Sequence, residues 1–254
     1  MGLLDRWRRR RDFPVAWEGI LRDNVPLCRH LPPHLQERHA NHILAFLDAK
    51  QFEGCGGLEI TDEMRVTVAG HACLLLLGSA RGSFPGLGTV VIYPESFATP
   101  LRTADSSGIV TETVEERFGE SWEEGTVILA WDSITAFLRG RSNDCNVIVH
   151  EFAHQLDAAY GITAGAPLKT MGGQCRDWTE LLAGEPRRQR HARRRGRPEI
   201  LDPYAFTSEQ ELFAVASETF FMRPVRFKSN HPQLYAELQS IYGVDPAEWM
   251  TTPR

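Results

Sequence analysis

Hydrophobic residues recur at helical spacing in several parts of this chain. After Pro32 and Pro33, residues 35–49 are predicted to form a helix, and Thr61 is placed to cap the next one. The apolar positions that support this second helix are Met64, Val68, Ala72 and Leu75. Later helices are predicted from about Asp177 onward and over residues 232–242.

Short apolar runs bounded by Gly or Pro predict strands between the early and late helices. Residues 89–93 and 126–131 are the clear strands, and residues 109–114 form a weaker one. The predicted loops cover residues 78–88 and 96–107, and a short helix capped by Asp132 runs through Leu138. The pattern predicts an α+β fold, mainly helical with a small mixed sheet. We expect a loosely held basic arm over residues 1–25 and a single domain over residues 26–254.

A further helix is predicted over residues 146–160, because this stretch contains neither Pro nor Gly and stops at Gly161. Val149, Ala153 and Leu156 recur at helical spacing, with other apolar residues beside them. The helix is therefore expected to be buried, and polar side chains on it need partners.

Three polar residues of this helix, His150, Glu151 and His154, form the pattern H-E-x-x-H. Histidines four apart share one helix face, so both imidazoles can reach one metal ion. Glu151 projects near the open side of that metal, and a metal-bound water beside a carboxylate is what amide hydrolysis needs. The pattern predicts a catalytic zinc site; the alternative is a purely structural hydrogen-bonded pair of histidines.

A catalytic zinc ion needs a third protein ligand, and no histidine between Gly161 and His191 can provide it. A carboxylate from the helix predicted over residues 208–221 is the best candidate. Glu211 and Glu218 are seven apart and share a face of that helix. One of them could bind the metal while the other orients a ligand histidine, or both could be solvated surface residues.

Other polar residues fit ordinary structural roles. Ser208 is a candidate N-cap with Glu211 at the capping-box position, and Glu209 in the first turn is expected to be exposed. Cys145 is expected to lie in the core. The remaining histidines show no ligand spacing and are expected to be surface or packed residues: His30, His34, His39, His42, His71 and His231.

Several segments resemble the Mlc titration factor A family, a group of bacterial cytoplasmic zinc peptidases of the glutamate-zincin type. The segments that carry the resemblance are residues 147–157, 202–205 and 211–221, with residues 57–64, 72–78 and 91–94 upstream. The resemblance therefore covers roughly residues 30–245.

The resemblance implies one Zn²⁺ held by His150, His154 and Glu211, with Glu151 as the catalytic base. It implies a zincin-like metallopeptidase fold, with the mixed sheet packed on the H-E-x-x-H helix and an edge strand that can pair with extended peptide substrate. It also implies aminopeptidase-like activity and binding of a transcriptional repressor of the Mlc type, because the founding member binds the glucose-repressor protein Mlc.

Tyr204 lies seven residues before Glu211, and a similar spacing occurs in the catalytic domain of anthrax lethal factor. Its phenol could donate a hydrogen bond to the oxyanion of the reaction. The alternative is a packed aromatic ring whose hydroxyl is already bonded. Either Asp157 or Glu218 is expected to orient a ligand histidine.

Charge and composition bear on the partner. Basic runs at residues 6–11 and 186–197 depart from what the family pattern leads us to expect. The net charge of −5 and the lack of aromatic residues among the arginines of the second run argue against a nucleic-acid contact. A non-catalytic protein of the same fold that sequesters a transcription regulator is the alternative to an enzyme.

The five cysteines are odd in number, widely spaced and without a C-x-x-C pair. This usage predicts reduced thiols in a cytoplasmic protein. No apolar stretch approaches the ~20 residues that span a membrane, and no apolar segment of a secretory signal follows the N-terminal charges.

Overall fold

The computed structural model describes residues 13–79, 84–104, 110–117, 119–122, 125–141, 145–164, 180–181, 184–185, 194 and 199–251. Its α-helices are α1 Val15–Asn24, α2 Pro33–Ala49, α3 Asp62–Ala72, α4 Trp131–Leu138, α5 Val147–Tyr160, α6 Glu209–Met222, α7 Pro224–Asn230, α8 Pro232–Tyr242 and α9 Pro246–Thr251. Short 3-10 helices cover Pro26–His30, Cys73–Leu76 and Pro203–Phe206. The strands are β1 Gln51–Gly54, β2 Thr89–Tyr93, β3 Phe97–Ala104, β4 Val110–Arg117, β5 Gly119–Trp122 and β6 Thr126–Ala130. None of the helices in these ranges is long and apolar enough to cross a membrane.

Four strands form one small mixed sheet in the order β1-β2-β6-β5. β1, β2 and β6 are parallel, whereas β5 runs antiparallel to β6. Val90, Ile92, Val127 and Leu129 are buried in the alternating pattern of strands with one face in the core. β3 and β4 make a separate antiparallel pair. The predicted α+β class, mainly helical with a small sheet, is confirmed, and α5 lies against β5 and β6.

Helix α5 lies in the core and contacts α3, α6 and the sheet. Phe152 and Leu156 on this helix are fully buried. The ring of Phe152 packs against Phe46 of α2 and against Phe84, and burial of such a ring stabilises a fold by about 1.5–3 kcal/mol. The apolar faces of α5 thus fix the direction in which its polar residues project.

The first helix differs from the loosely held arm that the sequence predicts over residues 1–25. α1 packs on α3, where Leu21 and Val25 approach Gly70 closely. A Cβ atom at Gly70 would lie 2.6 Å from a methyl carbon of Leu21, so the side chains of Leu21 and Val25 would have to shift to accept one. Residues 1–12 lie outside the described part of the chain.

Some other elements also differ from the predictions. The prediction of a loop over residues 96–107 is wrong in part, because β3 occupies Phe97–Ala104. β1 and β5 have four residues each and are too short to show a clear alternation. Pro224 and Pro246 begin helices α7 and α9, since proline is well tolerated at the first helical position. Most of the helix expected from Asp177 falls outside the described residues.

Candidate metal centre

Both ends of α5 are fixed by local contacts. Asn146 Oδ1 accepts a hydrogen bond from the backbone N–H of Val149 at 3.2 Å, which makes Asn146 the N-cap. Gly161 ends the helix in the left-handed conformation, with φ 63°, and its N–H donates to the carbonyl of Asp157. The helix predicted over residues 146–160 is confirmed.

Helix α6 brings two carboxylates against α5. Ser208 Oγ accepts a hydrogen bond from the N–H of Glu211 at 3.1 Å, as expected of the predicted N-cap. The side chain of Glu211 extends toward His150 and His154. Glu209, which was expected to be exposed, is half-buried in the first turn.

The side chains of His150, His154 and Glu211 converge on one point. The Nε2 atoms of the two histidines are 3.1 Å apart. Glu211 Oε2 lies 3.2 Å from Nε2 of His150, and Glu211 Oε1 lies 3.6 Å from Nε2 of His154. In the part of the chain that the structure describes, no other group of three His, Cys, Asp or Glu side chains is arranged to share an ion.

These separations fit a tetrahedral metal ion. Zinc binds histidine nitrogen and carboxylate oxygen at about 2.0–2.2 Å, so two ligands of a tetrahedral ion lie roughly 3.2–3.6 Å apart. The two Nε2 atoms at 3.1 Å, and the Glu211 oxygens Oε2 at 3.2 Å from His150 Nε2 and Oε1 at 3.6 Å from His154 Nε2, lie within about 0.1 Å of that range. Glu211 Oε2 is buried and makes no hydrogen bond to any described residue, so it keeps its lone pairs for another partner.

The electrostatics of the cluster favour positive charge at the same point. Burial would lower the pKa of His150, but its contacts with Glu211 and Glu218 outweigh burial and raise that pKa well above 6.5. Burial would raise the pKa of Glu211, but its contacts with the two motif histidines hold that pKa at about 2. A site that favours a proton this strongly also favours a metal cation.

Glu151 follows His150 on α5 and is 6% exposed. Burial raises its pKa above 4.5; the positive charge of the motif histidines opposes that rise, and the two carboxylates of α6 add to it. A carboxylate whose pKa is raised toward neutrality is better suited to accept and then return a proton.

Glu218 contacts the other side of the His150 ring. Its Oε1 accepts a hydrogen bond from His150 Nδ1 at 2.7 Å, while Nε2 of the same ring faces Glu211. Asp157 lies elsewhere: its two oxygens accept hydrogen bonds from the N–H and the hydroxyl of Thr163, both at 2.7 Å. The contact expected from either Asp157 or Glu218 is therefore made by Glu218, and Asp157 closes the turn after α5.

Tyr204 lies beside the cluster on the 3-10 helix before α6. Its ring centroid is 6.5 Å from that of His150, and the residue is 54% exposed. Both residues line a cavity of about 730 Å³, together with Asp132, Cys145 and Glu218. This exposure differs from that of a packed core aromatic, and it places the phenol beside open space next to His150.

Cys145 differs from its expected place in the core. The residue is exposed and lines the cavity. Its thiol nevertheless lies against Glu218, and burial together with the charge of that carboxylate raises the pKa of the thiol. The basic runs at residues 6–11 and 186–197 fall outside the described residues, except for Arg194, and their role stays a prediction.

Three histidines outside the motif, His39, His71 and His231, are buried in the described part of the chain, as expected of packed residues. His231 Nδ1 contacts a carboxylate oxygen of Glu185. His39 Nε2 donates to the carbonyl of Gly70 at 2.8 Å, and His71 Nε2 donates to the carbonyl of Asn24 at 2.9 Å. Burial lowers the pKa of each to about 4. Both imidazoles are therefore neutral near pH 7.

A contact between His71 and Asn146, the N-cap of α5, is not indicated by the sequence patterns. His71 Nδ1 accepts a hydrogen bond from Asn146 Nδ2 at 2.9 Å, although the two residues are 75 apart in the chain. An asparagine before a helix signals an N-cap. No local pattern could have paired it with a histidine on another helix.

Comparison with known proteins agrees with this geometry. The family model of the glucose-regulated metallo-peptidases M90 matches residues 4–243. The chain belongs to the M90 family. This finding confirms the resemblance to the Mlc titration factor A family, and membership indicates a metal-dependent peptidase.

Relatives align over most of their length. An uncharacterised protein of Synechocystis is 36% identical over 245 residues, which cover 94% of this chain and 89% of the relative. Mlc titration factor A of Klebsiella pneumoniae is 32% identical over 243 residues, covering 92% and 88%. Mlc titration factor A of Cronobacter sakazakii is 31% identical over 240 residues, covering 92% and 87%.

Proposed function

We propose that this protein is a zinc-dependent peptidase of zincin-like fold, in which His150, His154 and Glu211 hold one Zn²⁺. The observation that carries the proposal is the convergence of two Nε2 atoms and a carboxylate at 3.1–3.6 Å from one another. Membership of a metallopeptidase family supports the same conclusion independently.

The chain supplies the proton transfers of the reaction. Zinc bound by the three side chains contributes Lewis acidity, which polarises a peptide carbonyl and acidifies water. Glu151 takes the proton of the attacking water and then delivers it to the amine that leaves. Its raised pKa supports both steps, because a carboxyl group that remains ionised too strongly would return the proton poorly.

Tyr204 is proposed to stabilise the oxygen of the scissile carbonyl as negative charge develops on it. Its position next to His150, on the wall of the cavity, supports this role. A hydroxyl placed there donates a hydrogen bond that strengthens in the transition state.

The cavity supports an aminopeptidase-like preference. Its described lining residues include the carboxylates of Asp132, Glu199 and Asp202 and the guanidinium of Arg223. Burial tends to raise the pKa of Asp132, but hydrogen bonds from Ser96 and Ser133 lower it, so the group stays ionised near pH 7. Carboxylates at this place would stabilise the α-ammonium group of a peptide N-terminus.

The decisive variant is Glu151→Gln, tested with chromogenic amino-acyl amides that carry either a free or an acetylated N-terminus. Loss of the base should reduce kcat about 10²–10⁴-fold while zinc content, measured by elemental analysis, stays at one ion. Hydrolysis of the free amides alone would support exopeptidase action. Hydrolysis by the variant at the wild-type rate would show that Glu151 is not the base.

Tyr204→Phe tests the second role. Removing one oxyanion donor typically lowers kcat about 10²–10³-fold, and we expect a loss in this range with little change in KM. Zinc affinity should stay the same, because the phenol is not among the three ligands. An unchanged kcat would mean that Tyr204 is an exposed residue with no part in stabilising the carbonyl oxygen.

A non-catalytic protein that sequesters a transcription regulator is the second candidate. The observation that favours it is the name Mlc titration factor A borne by several relatives. The two candidates are also compatible with one protein that does both.

Binding of a purified Mlc-type repressor to the wild type and to Glu151→Gln separates the candidates. Equal repressor affinity of the two proteins, together with a wild type that binds zinc but hydrolyses no peptide, would favour sequestration alone. Chelator-sensitive hydrolysis by the wild type would favour the peptidase.

A further inference from the structure

A continuous series of hydrogen bonds leads from the end of α1 to the His150 ring. It passes through His71 on α3, the N-cap residue Asn146 and Glu218 on α6. We propose that His71 and Asn146 are positioning residues that set the orientation of His150 as a metal ligand. The proposal rests on the proposed function, since the orientation of His150 matters for catalysis only if its Nε2 binds a metal.

The first step fixes the tautomer of His71. Its Nε2 faces the carbonyl oxygen of Asn24 at 2.9 Å and must therefore carry the proton. Nδ1 of a neutral imidazole is then an acceptor, and it receives the hydrogen bond of Asn146 Nδ2. The lowered pKa of His71 agrees with the neutral form.

The second step fixes the side-chain amide of Asn146 from both ends. Nδ2 donates to His71, while Oδ1 accepts from the N–H of Val149. If the amide were flipped, Oδ1 would face the unprotonated Nδ1 of His71, and Nδ2 would face the backbone N–H of Val149. Two acceptors would then meet on one side and two donors on the other, so both hydrogen bonds would be lost. The residue is 1% exposed, so water cannot replace those bonds.

The third step transmits this position to Glu218. The backbone N–H of Asn146 donates to Glu218 Oε2 at 2.9 Å, and Glu218 Oε1 accepts from His150 Nδ1 at 2.7 Å. With both carboxylate oxygens engaged, Glu218 holds the proton of His150 on Nδ1. When the ring is neutral, as a metal ligand must be, its lone pair is then on Nε2, the nitrogen that faces Glu211.

His71→Phe removes the acceptor for Asn146 while it keeps an aromatic ring of similar size. His71→Asn is the conservative variant, because its side-chain oxygen can occupy about the position of Nδ1. Asn146→Ser cuts the same link differently: the hydroxyl retains the N-cap, and the backbone N–H toward Glu218 remains. It therefore tests the proposal even if His71→Phe fails to fold.

The chain offers a matched control in His39. This histidine is as buried as His71, has the same lowered pKa and also donates from Nε2 to a backbone carbonyl. Its Nδ1 contacts the thiol of Cys28 rather than the metal-centre helix. His39→Phe should therefore disturb the core to a similar extent, next to His71 at Gly70, while the hydrogen bond between His71 and Asn146 stays in place.

Zinc affinity, measured by competition with a chromogenic chelator, is the first measurement. We expect His71→Phe and Asn146→Ser to bind zinc about tenfold more weakly, by analogy with the loss of contacts to ligand histidines. His71→Asn should recover most of the affinity, and His39→Phe should match the wild type. The d–d spectrum of the Co²⁺-substituted protein should shift in the first two variants only.

The second measurement needs no metal. In zinc-free protein, the ¹⁵N signal of His150 Nδ1 reports its hydrogen bond to Glu218, and we expect it to move in His71→Phe but not in His39→Phe. If neither this signal nor zinc affinity distinguishes the His71 and Asn146 variants from His39→Phe, the proposal is wrong. If the wild type binds no zinc, the proposed function is wrong, and the Nδ1 signal still decides whether the positioning contacts exist.

Discussion

Among the described residues, two of the regions that bury histidines have opposite chemistry. His39 and His71 lie in the helical layer formed by α1, α2 and α3, where backbone carbonyls accept from their Nε2 atoms. His150 and His154 lie where α5 meets α6, with the carboxylates of that helix beside them. Burial lowers the pKa of the first pair to about 4, whereas the pKa of His150 is raised well above 6.5.

The comparison shows that burial alone does not give a histidine surroundings that favour a cation. A carbonyl acceptor satisfies one ring nitrogen and leaves a neutral imidazole in the core. Carboxylates add negative charge, and that charge compensates the cost of placing a cation among buried groups. The difference between the two regions therefore lies in Glu211 and Glu218 rather than in the histidines.

Glu211→Gln should have the greatest effect, because it removes one of the two carboxylates that distinguish the motif histidines from the packed pair. The amide has nearly the shape of the carboxylate but no charge, so the motif histidines should come to resemble the packed pair. We expect zinc affinity to fall more than ~100-fold, beyond the range seen for residues that only orient a ligand. Chelator competition measures the loss.

Glu211→Gln also tests the ligand assignment against its alternative. Should this variant retain its full zinc affinity while Glu218→Gln loses it, the metal ligand would be Glu218. The site would then lie on the Nδ1 side of the His150 ring.

Glu218→Gln should have a smaller effect. This change weakens the partner of His150 Nδ1 but leaves all three proposed ligands, so we expect zinc affinity to fall about 10–100-fold. The ratio of zinc affinities of Glu211→Gln and Glu218→Gln is the informative quantity. A ratio near one would mean that the two carboxylates act equivalently.

A weaker effect is expected at the packed histidines His39 and His71, where protonation changes the stability of the fold. The folded pKa of His39 is about 4, below the unfolded value of about 6.5, so the unfolded state binds more protons between these pH values. His39 therefore contributes stability that is present above pH 6.5 and is lost as the pH falls toward 4. Between pH 7 and pH 5.5 this amounts to about 1 kcal/mol.

Guanidinium unfolding of zinc-free wild type and His39→Phe at these two pH values measures that contribution. The free energy of unfolding should fall by about 1 kcal/mol less in the variant than in the wild type. An equal fall in both proteins would mean that His39 is not held neutral in the folded state.

Much of the candidate site follows from local sequence. The spacing of His150 and His154, the N-cap Ser208 and the stop at Gly161 all lie within single helices, where periodicity and capping are informative. The distribution of roles between Glu211 and Glu218 did not follow, because it depends on how α6 is rotated against α5.

Contacts between segments that are distant in the chain could not be predicted from local sequence patterns. The packing of α1 on α3 brings Leu21 close to Gly70, where there is no side chain. The hydrogen bond between His71 and Asn146 joins residues that are 75 apart in the chain. Strands of four residues, such as β1, form because a neighbouring strand pairs with them and not because their own residues alternate clearly.

The close packing of α1 against α3 at Gly70 bears on the stability of the candidate metal centre. The carbonyl of Asn24, at the end of that helix, is the acceptor that fixes the ring of His71. A protease cut or a binding protein that detaches α1 would therefore loosen the surroundings of the proposed metal ligands without contacting any of them. The stability of the proposed site is thus expected to depend on a helix more than a hundred residues before it in the chain.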